Sequence, residues 1–105
     1  MDKLPKRYLQ FFEQFPEVGK SYHELGNAVT NAGPLDRKTQ ALIKLGIATG
    51  ARMEGAVHSH VRKCIEAGAM PEEIRHAVLQ ATTTIGFPNM MAALSWVDDV
   101  LGKDE

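Results

Sequence analysis

Apolar residues recur at helical spacing along almost the whole chain, and no segment alternates as a half-buried strand does. Leu4, Tyr8, Phe11, Phe12 and Phe15 fall at i, i+4, i+7, i+8 and i+11, one face of a helix. Pro16 restarts the chain, because proline suits a first helical position, and Val18, Tyr22, Leu25, Gly26 and Val29 repeat the pattern. Asn31-Ala32-Gly33-Pro34 is a stop and turn, and Asp36 is a good N-cap for a third helix running to about Gly50. Gly50-Ala51-Arg52 breaks the chain. A fourth helix then spans about Met53 to Ala67, closed by Gly68 as a C′ residue. Pro71-Glu72-Glu73 opens a fifth helix with proline at N1 and acids in the first turn, although Met70 before it has no capping oxygen. Its stripe of Ile74, Ala77, Val78, Ala81 and Ile85 is expected to continue to Gly86. Pro88 begins the last helix, with Met90, Ala93, Leu94, Val97 and Leu101 on one face. The expected fold is all-α, about six helices, in a single domain over residues 1–105.

The third segment is apolar on nearly every side: Ala41, Leu42, Ile43, Leu45, Ile47 and Ala48. Such a helix belongs in a core or a subunit interface, so the chain is expected to complete its core by homo-oligomerising. Lys and Arg number 12 and Asp and Glu 13, a net charge of −1, which lacks the basic surplus of a nucleic-acid binder or a ligand of anionic membranes. No apolar run approaches the ~20 residues of a membrane span. The segment Met1 to Lys6 has no apolar core behind it, so no secretory signal is expected and the cytoplasm is the default location. One cysteine excludes an internal disulfide and every cysteine-rich zinc site.

The densest set of reactive side chains is the run Met53 to Cys64 on the fourth helix. Each helical residue advances ~100°, so His58 and His60 point about 200° apart. They cannot share a metal from a regular helix, which needs i,i+3 or i,i+4 spacing, and no metal or cofactor is expected. Glu54 and His58 are four residues apart and can meet as a carboxylate–imidazole pair, either a surface ion pair or a carboxylate orienting an acid–base group. His60 lies at the edge of the stripe Met53, Val57, Val61, Cys64 and Ile65. It is either a core histidine bonded to a backbone carbonyl or a proton donor lining a pocket. Cys64 is about three turns from the helix N-terminus, beyond the reach of the dipole that activates thiols, and reads as a buried, inert group. His23 and His76 read as solvent-side residues.

Asp36 to Gly50, His60-Val61-Arg62, Glu66-Ala67-Gly68-Ala69, Pro71-Glu72-Glu73-Ile74 and Gly86-Phe87-Pro88 together resemble the carboxymuconolactone decarboxylase family, which includes the AhpD-like alkylhydroperoxidases. The likeness runs from about residue 20 to 101. It implies an all-α AhpD-like bundle assembled as a homo-trimer or homo-hexamer. AhpD-like members use a Cys-x-x-Cys pair at the start of the fourth helix, a histidine four residues after it and an upstream glutamate. Here the histidine position is His60, the cysteine positions fall on Met53 and Ala56, and the glutamate position falls on Ala41. A two-cysteine disulfide mechanism, and with it the usual peroxiredoxin activity, is chemically excluded within one chain.

Three readings follow. The resemblance implies a cofactor-independent decarboxylase or lactone-processing lyase, with His60 as acid/base, Arg52 or Arg62 binding substrate carboxylates, and Glu54 or His58 assisting. A second reading is an antioxidant using Cys64 alone, which needs a sulfenic acid and an outside resolving thiol. A third is a non-catalytic binding or scaffold module on the same fold.

Overall fold

A computed structural model describes residues 6–102. Leu4 and Pro5 lie outside the described residues. The helices are α1 (Lys6–Gln14), α2 (Pro16–Thr30), α3 (Arg37–Gly50), α4 (Glu54–Glu66), α5 (Pro71–Leu79) and α6 (Phe87–Leu101), with a short 3-10 helix at Gln80–Thr83, and no strand occurs among the described residues. The chain divides into two compact units, residues 1–35 and residues 36–105.

The first unit is a pair of helices, α1 and α2, held by aromatic contacts. Phe12 stacks on His23 with ring centroids 5.3 Å apart, and Tyr8 meets Phe12 edge-on at 4.6 Å. Gly19 is buried beneath the Phe12 ring, where an added Cβ would clash with Phe12 Cδ1. Val18, Tyr22, Leu25 and Val29, the apolar residues that repeat the helical spacing, are all exposed within the chain. Two helices alone offer too little surface to cover both of their apolar faces.

The second unit carries the core. Leu45, Val57, Val61, Cys64, Ile74, Val78, Ala93 and Val97 are fully buried, drawn from α3, α4, α5 and α6. Asp36 caps α3 as expected, accepting a hydrogen bond from the Thr39 N–H at 2.8 Å. The α3 helix buries Leu45, Ala48 and Thr49 and leaves Ile43 and Ile47 exposed, so its apolar breadth exceeds what one chain covers. At the end of α4, the Ala69 N–H reaches Cys64 O and the Gly68 N–H reaches Ile65 O, a Schellman closure that needs positive φ, which Gly68 supplies at +95°. The same closure ends α3, through Met53 N–H to Ala48 O and Arg52 N–H to Thr49 O. There the left-handed position is taken by Arg52 at φ +57°, a conformation costing a non-glycine residue about 1–2 kcal/mol.

The fifth helix is shorter than the expected run to Gly86: regular α geometry stops at Leu79 and tightens into the 3-10 helix. The hydroxyls of Thr82 and Thr84 donate to the carbonyls of Leu79 and Gln80, and such back-bonding competes with the α ladder. Met70 provides no side-chain cap. Instead the Glu73 carboxylate accepts the Met70 N–H at 2.8 Å while pairing with Lys38 of α3 at 2.9 Å. Arg75 ties α5 to α6 through Asp98 at 3.1 Å. Gly86, at φ +101°, is the N-cap of α6.

Candidate functional site

The reactive residues of α4 lie on two sides of that helix. Val57, Val61 and Cys64 form its buried stripe, and the two histidines flank it about 200° apart.

His60 is half-buried, and its Nδ1 is shut off from solvent with no hydrogen-bond partner. It is therefore not a core histidine satisfied by a backbone carbonyl at that nitrogen. Burial first, and then the positive charges of Lys63 on α4 and Lys44 on α3, hold its pKa below the ordinary imidazole value of 6.5. The imidazole is thus neutral at pH 7, in an electropositive surrounding. Neither lysine follows from a motif; Lys44 reaches this place only because α3 packs on α4.

His58 faces the other side. Its Nε2 is 2.9 Å from Asp99 Oδ2 of α6 and 3.9 Å from Glu54 Oε2. The expected i,i+4 pair with Glu54 is present, but Asp99 is the closer partner, and nothing in the spacing of the sequence points to it. One donor atom from each of Glu54, His58 and Asp99 lies within 4.8 Å of the others.

The remaining candidates stand apart. Arg52 is exposed, and its Nη1 donates to Asn89 Oδ1 at 2.9 Å at the start of α6. Arg62 is exposed on α4. Cys64 is fully buried, and burial pushes its thiol up to about 11 from 9.0. Its surroundings are those of a core side chain, not of a reactive thiol. A cleft of about 130 Å³ between α3, α5 and the 3-10 helix is lined by Gly46, Thr49, Gly50, Ala77 and Ala81 among others. None of these titratable candidates lines it.

The model of the carboxymuconolactone decarboxylase family matches residues 16–99. The chain belongs to that family. Nitrosuccinic acid decarboxylase npaB of Metarhizium robertsii is 33% identical over 75 residues, covering 68% of this chain and 52% of that protein. An uncharacterised protein of Haemophilus influenzae is 32% identical over 60 residues, 57% of this chain and 53% of its own length. The chain thus spans about half the length of these curated relatives. The fold is shared with apo-lpg0406, a carboxymuconolactone decarboxylase family protein from Legionella pneumophila, at TM-score 0.77 and 22% identity over 90% of this chain and 83% of that one. No helix among the described residues is long and apolar enough to cross a membrane.

Proposed function

We propose that this chain is a cofactor-independent decarboxylase-type enzyme for a small carboxylated substrate, with His60 handling the proton. The observation that carries the reading is the half-buried His60, whose Nδ1 is sealed and unpartnered and which feels the positive charges of Lys44 and Lys63. Decarboxylation breaks the bond between carbon and its carboxylate, releases CO2 and leaves the electron pair on carbon. An acceptor group of the substrate must hold that pair until carbon takes a proton. Free His60 is neutral and a poor acid. Burial is the main cause of its lowered pKa; a carboxylate drawn to Lys44 and Lys63 offsets the lesser part, their positive charge, and adds a negative charge that favours protonation of the imidazole in the complex. That proton then passes to carbon, and solvent restores it in the next turnover.

In this reading Lys44 and Lys63 take the carboxylate-binding role first given to Arg52 and Arg62. Arg62, two residues from His60, points about 200° away from it, to the side of α4 that carries His58, and is no anchor for this site. Glu54 and His58 lie on the far side of α4 and assist only if they reach the site of a neighbouring subunit. A homo-trimer or homo-hexamer is supported by the exposed Ile43 and Ile47 on α3 and by the exposed stripe of α2. Such an assembly, working in the cytoplasm, fits a chain of this size and charge.

The test is CO2 release from a panel of carboxylated lactones and α-nitro carboxylic acids, in which the departing carboxylate sits on the carbon bearing the nitro group. His60→Ala is expected to lower kcat by ~100-fold or more, the usual weight of a general acid. Lys63→Gln should raise KM and also raise the His60 pKa, read by NMR. Unchanged turnover in His60→Ala on an accepted substrate would remove His60 from the mechanism.

A further inference from the structure

We propose that Glu54, His58 and Asp99 form a binding site for a first-row divalent cation, with zinc and cobalt preferred over manganese, magnesium and calcium, which clips α4 to α6. The site is separate from His60 and does not rest on the decarboxylase reading. Glu54 and His58 are four residues apart on α4, the spacing at which two helical side chains can reach one ion. Asp99 comes from another helix, so a bound ion would cross-link two elements that the chain brings together only on folding.

The distances fit a small closing motion. Around a tetrahedral zinc with bonds of ~2.0–2.1 Å, donor atoms stand about 3.3 Å apart. His58 Nε2 already lies 2.9 Å from one carboxylate oxygen and 3.9 Å from the other, and all three donors fall within 4.8 Å. Rotation of the half-exposed carboxylates is enough to equalise these separations.

Charge balance points the same way, independently of spacing. The other acids that bridge helices are matched by full cations: Glu73 by Lys38 and Asp98 by Arg75. Glu54 and Asp99 instead converge on one imidazole, with no lysine or arginine bridging either of them among the described residues. A metal-ligating imidazole is neutral, so this ligand set would bring two negative charges to the ion, which a divalent cation cancels. One nitrogen and two oxygen donors suit zinc, cobalt or manganese better than magnesium or calcium, and affinity at such a site rises from manganese through cobalt. Three protein ligands leave the remaining positions to water.

The experiment uses tag-free, chelator-stripped protein, titrated with Zn²⁺ by calorimetry and with Co²⁺ by visible absorption. One ion per chain is expected, with a rise in Tm that grows with zinc concentration. Asp99→Asn, which keeps the side-chain size, and His58→Ala should each weaken binding by ~10-fold or more, a loss at least as large as that of removing an outer-shell partner. His76→Ala, at an exposed histidine on α5, should leave binding unchanged. If His58→Ala fails to fold by circular dichroism, Asp99→Asn carries the test. No stoichiometric binding up to about 1 mM, equal affinity in Asp99→Asn, or a loss that follows His76 would each overturn the assignment.

Discussion

Burial should make Cys64 one of the least reactive thiols a protein can carry. The perturbation is a disulfide reagent that releases a coloured thiolate, applied to native protein and to the unfolded chain. At pH 7 a thiol at the ordinary value of 9.0 is about 1% thiolate, and one pushed up to about 11 is about 0.01%. Ionisation alone therefore slows the native reaction about 100-fold. Access slows it further, because Cys64 is fully buried and reagent reaches it only when the core opens. The same shift sets a pH dependence. The folded thiol ionises later than the unfolded one, so its contribution to stability is fully present below pH 9 and is lost as pH rises toward 11. The two-unit difference bounds that loss at about 3 kcal/mol, and Cys64→Ala should flatten this part of the pH profile. Urea midpoints of both proteins across this window would measure it. A native reaction within about 10-fold of the unfolded rate would refute the burial argument. So would a sulfenic acid trapped after brief peroxide treatment of the native protein. The lone-cysteine antioxidant would then lead.

Two further outcomes test the frame around the site. Gly19→Ala should destabilise the first unit even though alanine favours helix by about 1 kcal/mol, because the new Cβ would clash with the Phe12 ring. The loss would appear as a lower helical signal and Tm by circular dichroism, and adding Phe12→Leu should restore part of it. Asp36 has its pKa lowered chiefly by its hydrogen bonds with Thr39, so its stabilisation holds above the unfolded value of 3.8 and fades as pH falls through the lower folded value. Asp36→Asn should remove that part of the acid slope in urea titrations. An unchanged slope would show that the cap does not discriminate charge.

The helices, most of their ends and the family were legible in the chain. Periodicity placed six helices, Asp36 capped α3 through a bond local to one turn, and Gly68 closed α4 because few other residues take positive φ. These features depend on neighbours within four or five residues, so the sequence holds all their physics. Where local competitors were nearly balanced, the structure departs from the periodicity: α5 ends early, where the hydroxyls of Thr82 and Thr84 bond back to the carbonyls of Leu79 and Gln80. The tertiary structure decided the rest. It exposed the stripes of α1 and α2, because burial depends on which surfaces meet. It brought Lys44 to His60 and Asp99 to His58 across helix contacts, which no periodicity on a single helix encodes. It left His60 with a sealed, unpartnered nitrogen and sealed Cys64 in the core. Spacing fixes which residues share a face; only packing fixes what that face meets, and the charges and burial it meets set the chemistry.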